Sequence, residues 1–226
     1  MTLARCPSPN FGARRGGARP SLVVLHYTAM DTAEAAIERL CDPAAEVSAH
    51  YLIDRCGAVT QMVEEEHRAW HAGAGHWAGQ TDINSHSVGI ELANSGAAPF
   101  ALAQMRALED LLAEVMDRLG IRPEGVIGHS DMAPGRKADP GARFDWRALS
   151  RRGLSVWPEA HERIAADETR FLRDAARFGY PADAGLEMIL AVFRLRFRPG
   201  AQGALDDTDM ALMADLAQRY GPRLTH

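Results

Sequence analysis

The spacing of apolar positions changes several times along the chain, and each change predicts an element. "SLVVLHY" (21–27) is a compact β-branched run of the length of a buried strand. "DTAEAAIERLCD" shifts to helical spacing, with Asp31 or Thr32 as N-cap and Glu34 in the first turn. "AHYLIDRCGAVTQMV" (49–63) reads as two strands joined by a turn at Asp54-Arg55-Cys56-Gly57. "HSVGIELAN" (86–94) predicts another strand, and "GVIGH" (125–129) a short buried one. Between them, "ALAQMRALEDLLAEVMDRLG" (101–120) repeats apolar residues at helical intervals and stops at a glycine. "DWRALSRRG" (145–153) predicts a short helix.

Strands alternating with helices predict an α/β (mixed α+β) fold with one central sheet. The pattern changes character at Pro158. Beyond it, "ETRFLRDAARFGYP", "GLEMILAVFRLRFRP" and "DDTDMALMADLAQRYG" are amphipathic helical stretches separated by Gly/Pro turns, which predicts a small C-terminal three-helix domain. The expected division is a mobile N-terminal arm (1–19), a main domain (20–157) and a helical domain (158–226). So short a helical domain needs a neighbour to pack on. It is either a packing or dimerisation element or a ligand-binding module.

Composition narrows the class. Of 226 residues, 46% are hydrophobic and 24% charged, the balance of a soluble globular protein with a real core. A net charge of −5 offers nucleic acid no basic field. No apolar run approaches the roughly 18 residues of a membrane span. "MTLARCPSPNFGARRGGARP" has arginines but no apolar core, so it does not read as a signal peptide. Cys6, Cys41 and Cys56 are odd in number and lack CxxC spacing, which argues against a disulfide framework and a cysteine-rich zinc site. A cytoplasmic location is expected, with periplasm or envelope as the alternative had a leader been removed.

The chemistry gathers in "VIGHSDMAPGRKADPG" (126–141), a loop too broken for a helix yet crowded with ionisable groups. His26 and His129 close two strands whose ends converge on one sheet edge. Imidazoles are good zinc ligands, and Asp139, on a loop stiffened by Pro134 and Pro140, can supply a third. Two histidines and a carboxylate leave a tetrahedral position for water. Lys137 lies two residues before Asp139; if that piece is extended, both side chains leave on the same side and an ammonium stands where it can stabilise an oxyanion. Glu91 is a lone carboxylate in an apolar strand and a candidate general base. Together these predict a Zn2+-dependent hydrolase. The plainer readings are hydrogen-bonded structural histidines, a Glu91–arginine pair and a solvated lysine.

Taken in order, "VVLHYTAM", "HYLIDRCGAVTQMVEEEHRAWHAG", "NSHSVGIELAN" and "GHSDMAPGRKADPGARFDW" resemble the zinc-dependent N-acetylmuramoyl-L-alanine amidases, the type-2 amidase family of the peptidoglycan-recognition-protein superfamily. The resemblance covers about residues 20 to 155. It implies a central mixed β-sheet flanked by helices, metal ligands at His26, His129 and Asp139, and catalytic roles for Glu91 and Lys137. It implies hydrolysis of the amide between N-acetylmuramic acid and the L-alanine of the stem peptide, on muropeptide or peptidoglycan fragments in cell-wall recycling. A non-catalytic muropeptide receptor and an exported amidase are the alternatives. The tail, through "FGYP" and "FRLRFRP", is similar to a peptidoglycan-binding helical module. Trp70, His71 and Asn94 are candidate substrate-binding residues, Trp70 being equally readable as core. His50 is expected to be structural, and Asp131 to cap or brace its loop.

Overall fold

In the computed structural model, which describes residues 3–160 and 162–221, strand β3 (Leu22–Tyr27) forms the axis of the main sheet. Eight strands are described: β1 (Leu3–Arg5), β2 (Phe11–Ala13), β3, β4 (Tyr51–Ile53), β5 (Val59–Gln61), β6 (His67–Ala69), β7 (Ser87–Leu92) and β8 (Val126–Gly128). The helices are α1 (Ala33–Cys41), α2 (Ile83–His86), α3 (Leu102–Leu119), α4 (His129–Met132), α5 (Trp146–Arg151), α6 (Glu168–Phe178), α7 (Leu186–Phe197) and α8 (Asp207–Tyr220). Six strands form the sheet in the order β1-β5-β4-β7-β3-β8. Only the β4–β5 hairpin is antiparallel, so the sheet is mixed, as expected.

Local chemistry sets the element ends. Thr32 caps α1 by accepting from the Ala35 amide at 3.1 Å, one of the two N-caps that the sequence offered. Gly120 ends α3 in the left-handed conformation at φ +66°, which its missing Cβ permits. The strand expected to end at His129 stops at Gly128, and His129 opens α4 instead.

The alternation of β3 divides the core. Val23 and Leu25 face α3 and α5, packing with Leu108, Leu112, Val115 and Leu149. Leu22 and Val24 face the other way, into a cluster with Phe171, Phe193, Met213 and Leu216 of the C-terminal helices. His26 is next on that second face, two residues beyond Val24. One face of the sheet is thus apolar where the helices cover it and polar where they stop.

The first nineteen residues, expected to be a mobile arm, are built into the fold from Leu3 onward. β1 adds to the sheet edge beside β5, and β2 pairs antiparallel with β6. The Arg14 guanidinium donates to the carbonyls of Glu65, Asn84, Ser85 and Ser87. Three-residue strands with exposed side chains carry no readable periodicity, and the backbone pairing that holds them has no sequence signature.

The two tail motifs face inward. Phe178 and Tyr180 of "FGYP" pack edge-on against Trp77, and Gly179 between them has no room for a Cβ, which would meet the Trp77 ring at 2.6 Å. In "FRLRFRP", Arg194 and Arg198 pair with Asp209, and Arg196 reaches Asp131. Among the described residues no helix is long and apolar enough to cross a membrane.

Candidate metal centre and active site

Three elements bring the ionisable groups together. β3 carries His26, the first turn of α4 carries His129, and the loop after α4 returns Asp139 to both. His26 Nδ1 lies 2.9 Å from His129 Nδ1 and 3.0 Å from Asp139 Oδ2, and His129 Nδ1 lies 3.0 Å from the same oxygen. All three residues are buried. Donor atoms sharing one tetrahedral zinc at about 2.0–2.1 Å stand about 3.3 Å apart, so this triangle needs only a small expansion to hold one.

Donor chemistry tests the fit. His129 Nε2 lies 2.9 Å from the carbonyl of Ala72, which can only accept, so Nε2 carries the proton and Nδ1 is bare. A lone pair therefore faces the Asp139 carboxylate in a buried site. Two electron-rich atoms so close call for a shared cation. Among the described residues no lysine or arginine pairs with Asp139. The residues fit a divalent cation of zinc type.

The sheet register places Glu91 beside the triad. His26 and Glu91 are direct partners across the parallel β3–β7 pair, so both leave the same face. Glu91 Oε2 is shielded from solvent and has no hydrogen-bond partner among the described residues. Burial, reinforced by the charge of Asp139 and opposed by Lys137, pushes the Glu91 carboxyl up to about 8. Burial, with His129 beside it, brings His26 down to about 4 against the pull of Asp139.

A cavity of about 480 Å³ opens over these groups, lined by the triad, Glu91, Lys137 and Trp70 among others, and extending toward α1. Lys137 is exposed on its rim, in a stretch without strand geometry. Trp70 is half-buried on the wall, its backbone tied to Ser48. His71 borders the cavity, but both ring nitrogens point to protein groups, His26 and Ser87. Asn94 does not border it. Its amide is buried and taken up within its own loop, by Ala98 and Gly96, because the chain turns sharply after β7. His50 accepts from the Gly89 amide and bonds the His67 carbonyl, a structural role as expected.

Sequence reasoning missed the segment behind the metal site. Asn84 Oδ1 accepts from the amides of both His71 and Ala72, setting the turn that presents one residue's ring and the next residue's carbonyl to the two histidines. Arg136 also donates to the Ala72 carbonyl at 2.8 Å. An asparagine after a predicted loop carries no signal that it braces another segment thirteen residues away.

Three convergent groups able to hold a metal, a buried carboxyl and a rim ammonium in one cavity have the outline of a hydrolytic centre. A family profile described as N-acetylmuramoyl-L-alanine amidase matches residues 16–142, and the chain belongs to that family. It is 33% identical over 235 residues to N-acetylmuramoyl-L-alanine amidase AmiD of Escherichia coli K12, covering 90% of this chain and 84% of that one. With 1,6-anhydro-N-acetylmuramyl-L-alanine amidase AmpD of Haemophilus influenzae it shares 35% identity over 157 residues, covering 62% of this chain and 85% of the relative. The E. coli AmiD structure, solved with the substrate anhydro-N-acetylmuramic acid-L-Ala-D-γ-Glu-L-Lys, superposes with a TM-score of 0.83 over 92% of this chain and 93% of that one.

Proposed function

We propose that this protein is a zinc-dependent amidase that cleaves the bond between N-acetylmuramic acid and the L-alanine of the stem peptide, on anhydro-muropeptides released in cell-wall turnover. The reading rests chiefly on the convergence of His26 Nδ1, His129 Nδ1 and Asp139 Oδ2 within 3.0 Å, with Glu91 as register partner of His26. Bound by those atoms, zinc supplies Lewis acidity toward the scissile carbonyl and lowers the pKa of a water to about 7. Glu91 accepts the proton of the attacking water and passes it to the nitrogen of the leaving L-alanine. Its Oε2 has no hydrogen-bond partner among the described residues and is free to do so. Lys137, on the rim, stabilises the oxyanion that forms on the lactyl carbonyl. Trp70 offers a wall for the sugar or the first stem residue.

The division of labour we assign is catalysis to 20–157 and support to 158–226, because the two motifs that liken the tail to a binding module are occupied within the protein. We place the protein in the cytoplasm, with periplasm or envelope as the alternative, and fractionation of the native cell tests this.

The decisive assay is incubation of the zinc-loaded chain with an anhydro-muropeptide, with and without chelator, followed by mass spectrometry. Chelator-sensitive release of the L-Ala peptide is expected. A stoichiometrically zinc-loaded protein that binds the muropeptide and leaves it intact is a receptor, and the proposal fails. Release of a shortened peptide still bearing the sugar points instead to peptide–peptide cleavage.

A further inference from the structure

Behind His26 runs a chain of hydrogen bonds whose proton directions are all determined. Ser87 Oγ donates to the carbonyl of Ile83 at 2.6 Å. A hydroxyl has one proton, so toward its other neighbour, His71 Nε2 at 3.1 Å, Ser87 can only accept. His71 Nε2 therefore carries a proton. In the neutral ring, His71 Nδ1 is then bare and accepts from His26 Nε2 at 3.0 Å. That puts the proton of His26 on Nε2 and leaves Nδ1, the atom facing His129 and Asp139, with its lone pair available. The Ile83 carbonyl thus does for His26, through two side chains, what the Ala72 carbonyl does directly for His129.

We propose that His71 is a positioning residue of the metal centre: it accepts the Nε2 proton of His26 and so holds that ring in the tautomer and orientation that bind the metal. Three features make this a built arrangement. The amides of His71 and Ala72 hang from one Asn84 side-chain oxygen, so a single turn serves both metal histidines. A Cβ at residue 89 would stand 2.4 Å from the His71 ring, so Gly89 makes its berth in the sheet. The His26 and His71 rings stand at 82° to each other with the facing nitrogens 3.0 Å apart, within hydrogen-bond reach. Candidate substrate contact, the expectation from sequence, is replaced by a task behind the ligand.

The inference rests on the metal site proposed above, and the two fail differently. If the wild-type chain takes up no zinc, the functional proposal fails. If it binds zinc and the His71 predictions below are not met, only the role of His71 fails. The first measurement needs no mutation: ¹⁵N-labelled histidine in the zinc-loaded full chain, read by long-range ¹H–¹⁵N correlation. His71 is expected as the neutral Nε2–H tautomer with a bare Nδ1. Protonation at Nδ1, or at both nitrogens, overturns the proposal.

The second is zinc affinity by competition with a chromophoric chelator. His71→Phe should weaken binding about 10- to 100-fold, the usual loss on removing a partner of a ligating histidine. His71→Gln, whose carbonyl can accept the same proton, should recover much of it, which a purely space-filling role does not predict. Gly89→Ala keeps His71 but displaces its ring, and should weaken zinc in the same sense. Zinc affinity in His71→Phe equal to wild type, or no difference between Phe and Gln, sinks the assignment. A variant that does not fold leaves the tautomer measurement to decide.

Discussion

Two buried clusters of ionisable groups are built on acids fewer than ten residues apart, Asp131 in α4 and Asp139 in the loop after it, and they are completed in opposite ways. Asp131 accepts from the Gly128 amide at 2.8 Å, the Tyr180 hydroxyl at 2.9 Å and the Arg196 guanidinium at 2.6 Å. Arg196 also bonds Val126 O and Ser155 and lies over the Trp146 ring at 4.1 Å. That cluster contains its own cation. Asp139 instead meets the ring nitrogens of His26 and His129, and no lysine or arginine pairs with it among the described residues. A buried acid answered from within the chain is architecture. One surrounded by lone pairs is a request for a ligand. The same contrast explains why Asp131, despite its place in "GHSD", braces its loop.

The comparison breaks most visibly if a metal-facing ligand is removed. Asp139→Ala or His129→Ala should empty the site of zinc and lower muropeptide cleavage roughly 10³-fold or more, since the metal supplies several kcal/mol of transition-state stabilisation. Melting of the metal-free proteins should differ little. Metal analysis beside a cleavage assay checks this, and full zinc retention in His129→Ala counts against the site.

Arg196→Met attacks the closed cluster. It strands Asp131 as an uncompensated buried charge, which costs about 3–5 kcal/mol. Urea unfolding should register that loss, while zinc per folded molecule stays near one. Pairing it with Asp131→Asn should restore part of the stability. An undiminished Arg196→Met protein would mean that the tail does not brace the loop.

Lys137→Ala touches the rim alone. Loss of one oxyanion-stabilising charge should reduce kcat roughly 10²-fold, with unchanged zinc content and stability within about 0.5 kcal/mol. A change confined to KM would make Lys137 a binding residue instead.

The smallest effect is a slope. In the metal-free protein Glu91 titrates near 8, raised chiefly by burial, whereas in the unfolded chain it has an ordinary carboxylate value. The folded state therefore holds a proton that the unfolded state has released. Stability due to this group is greatest at low pH, falls as pH rises from the ordinary range toward 8, and levels off above. Urea midpoints of metal-free wild type should thus decline relative to Glu91→Gln between pH 5 and 8. Parallel curves would show that Glu91 is not shielded.

Legibility followed the range of the interaction concerned. The α1 cap, the β4–β5 hairpin, the long α3 with its terminal glycine and the three tail helices were all readable, because each depends on neighbours a few residues away. His26, His129, Asp139, Glu91 and Lys137 stood out because ionisable groups at strand ends and in apolar strands are expensive without a task. The pairing of β1 and β2, the burial of Asn94 in its own loop and the place of His71 did not stand out.

By itself, then, the amino-acid order determined the periodic elements, the mixed α/β class and the chemical inventory of the site, since side-chain period and residue type are local properties. Tertiary structure alone decided which acid receives an arginine, that the tail motifs turn inward, and that a histidine sixteen residues before Ser87 stands behind His26. Each of those depends on segments distant in the chain being brought within hydrogen-bond reach, and proton direction along such a path exists only once every partner is in place.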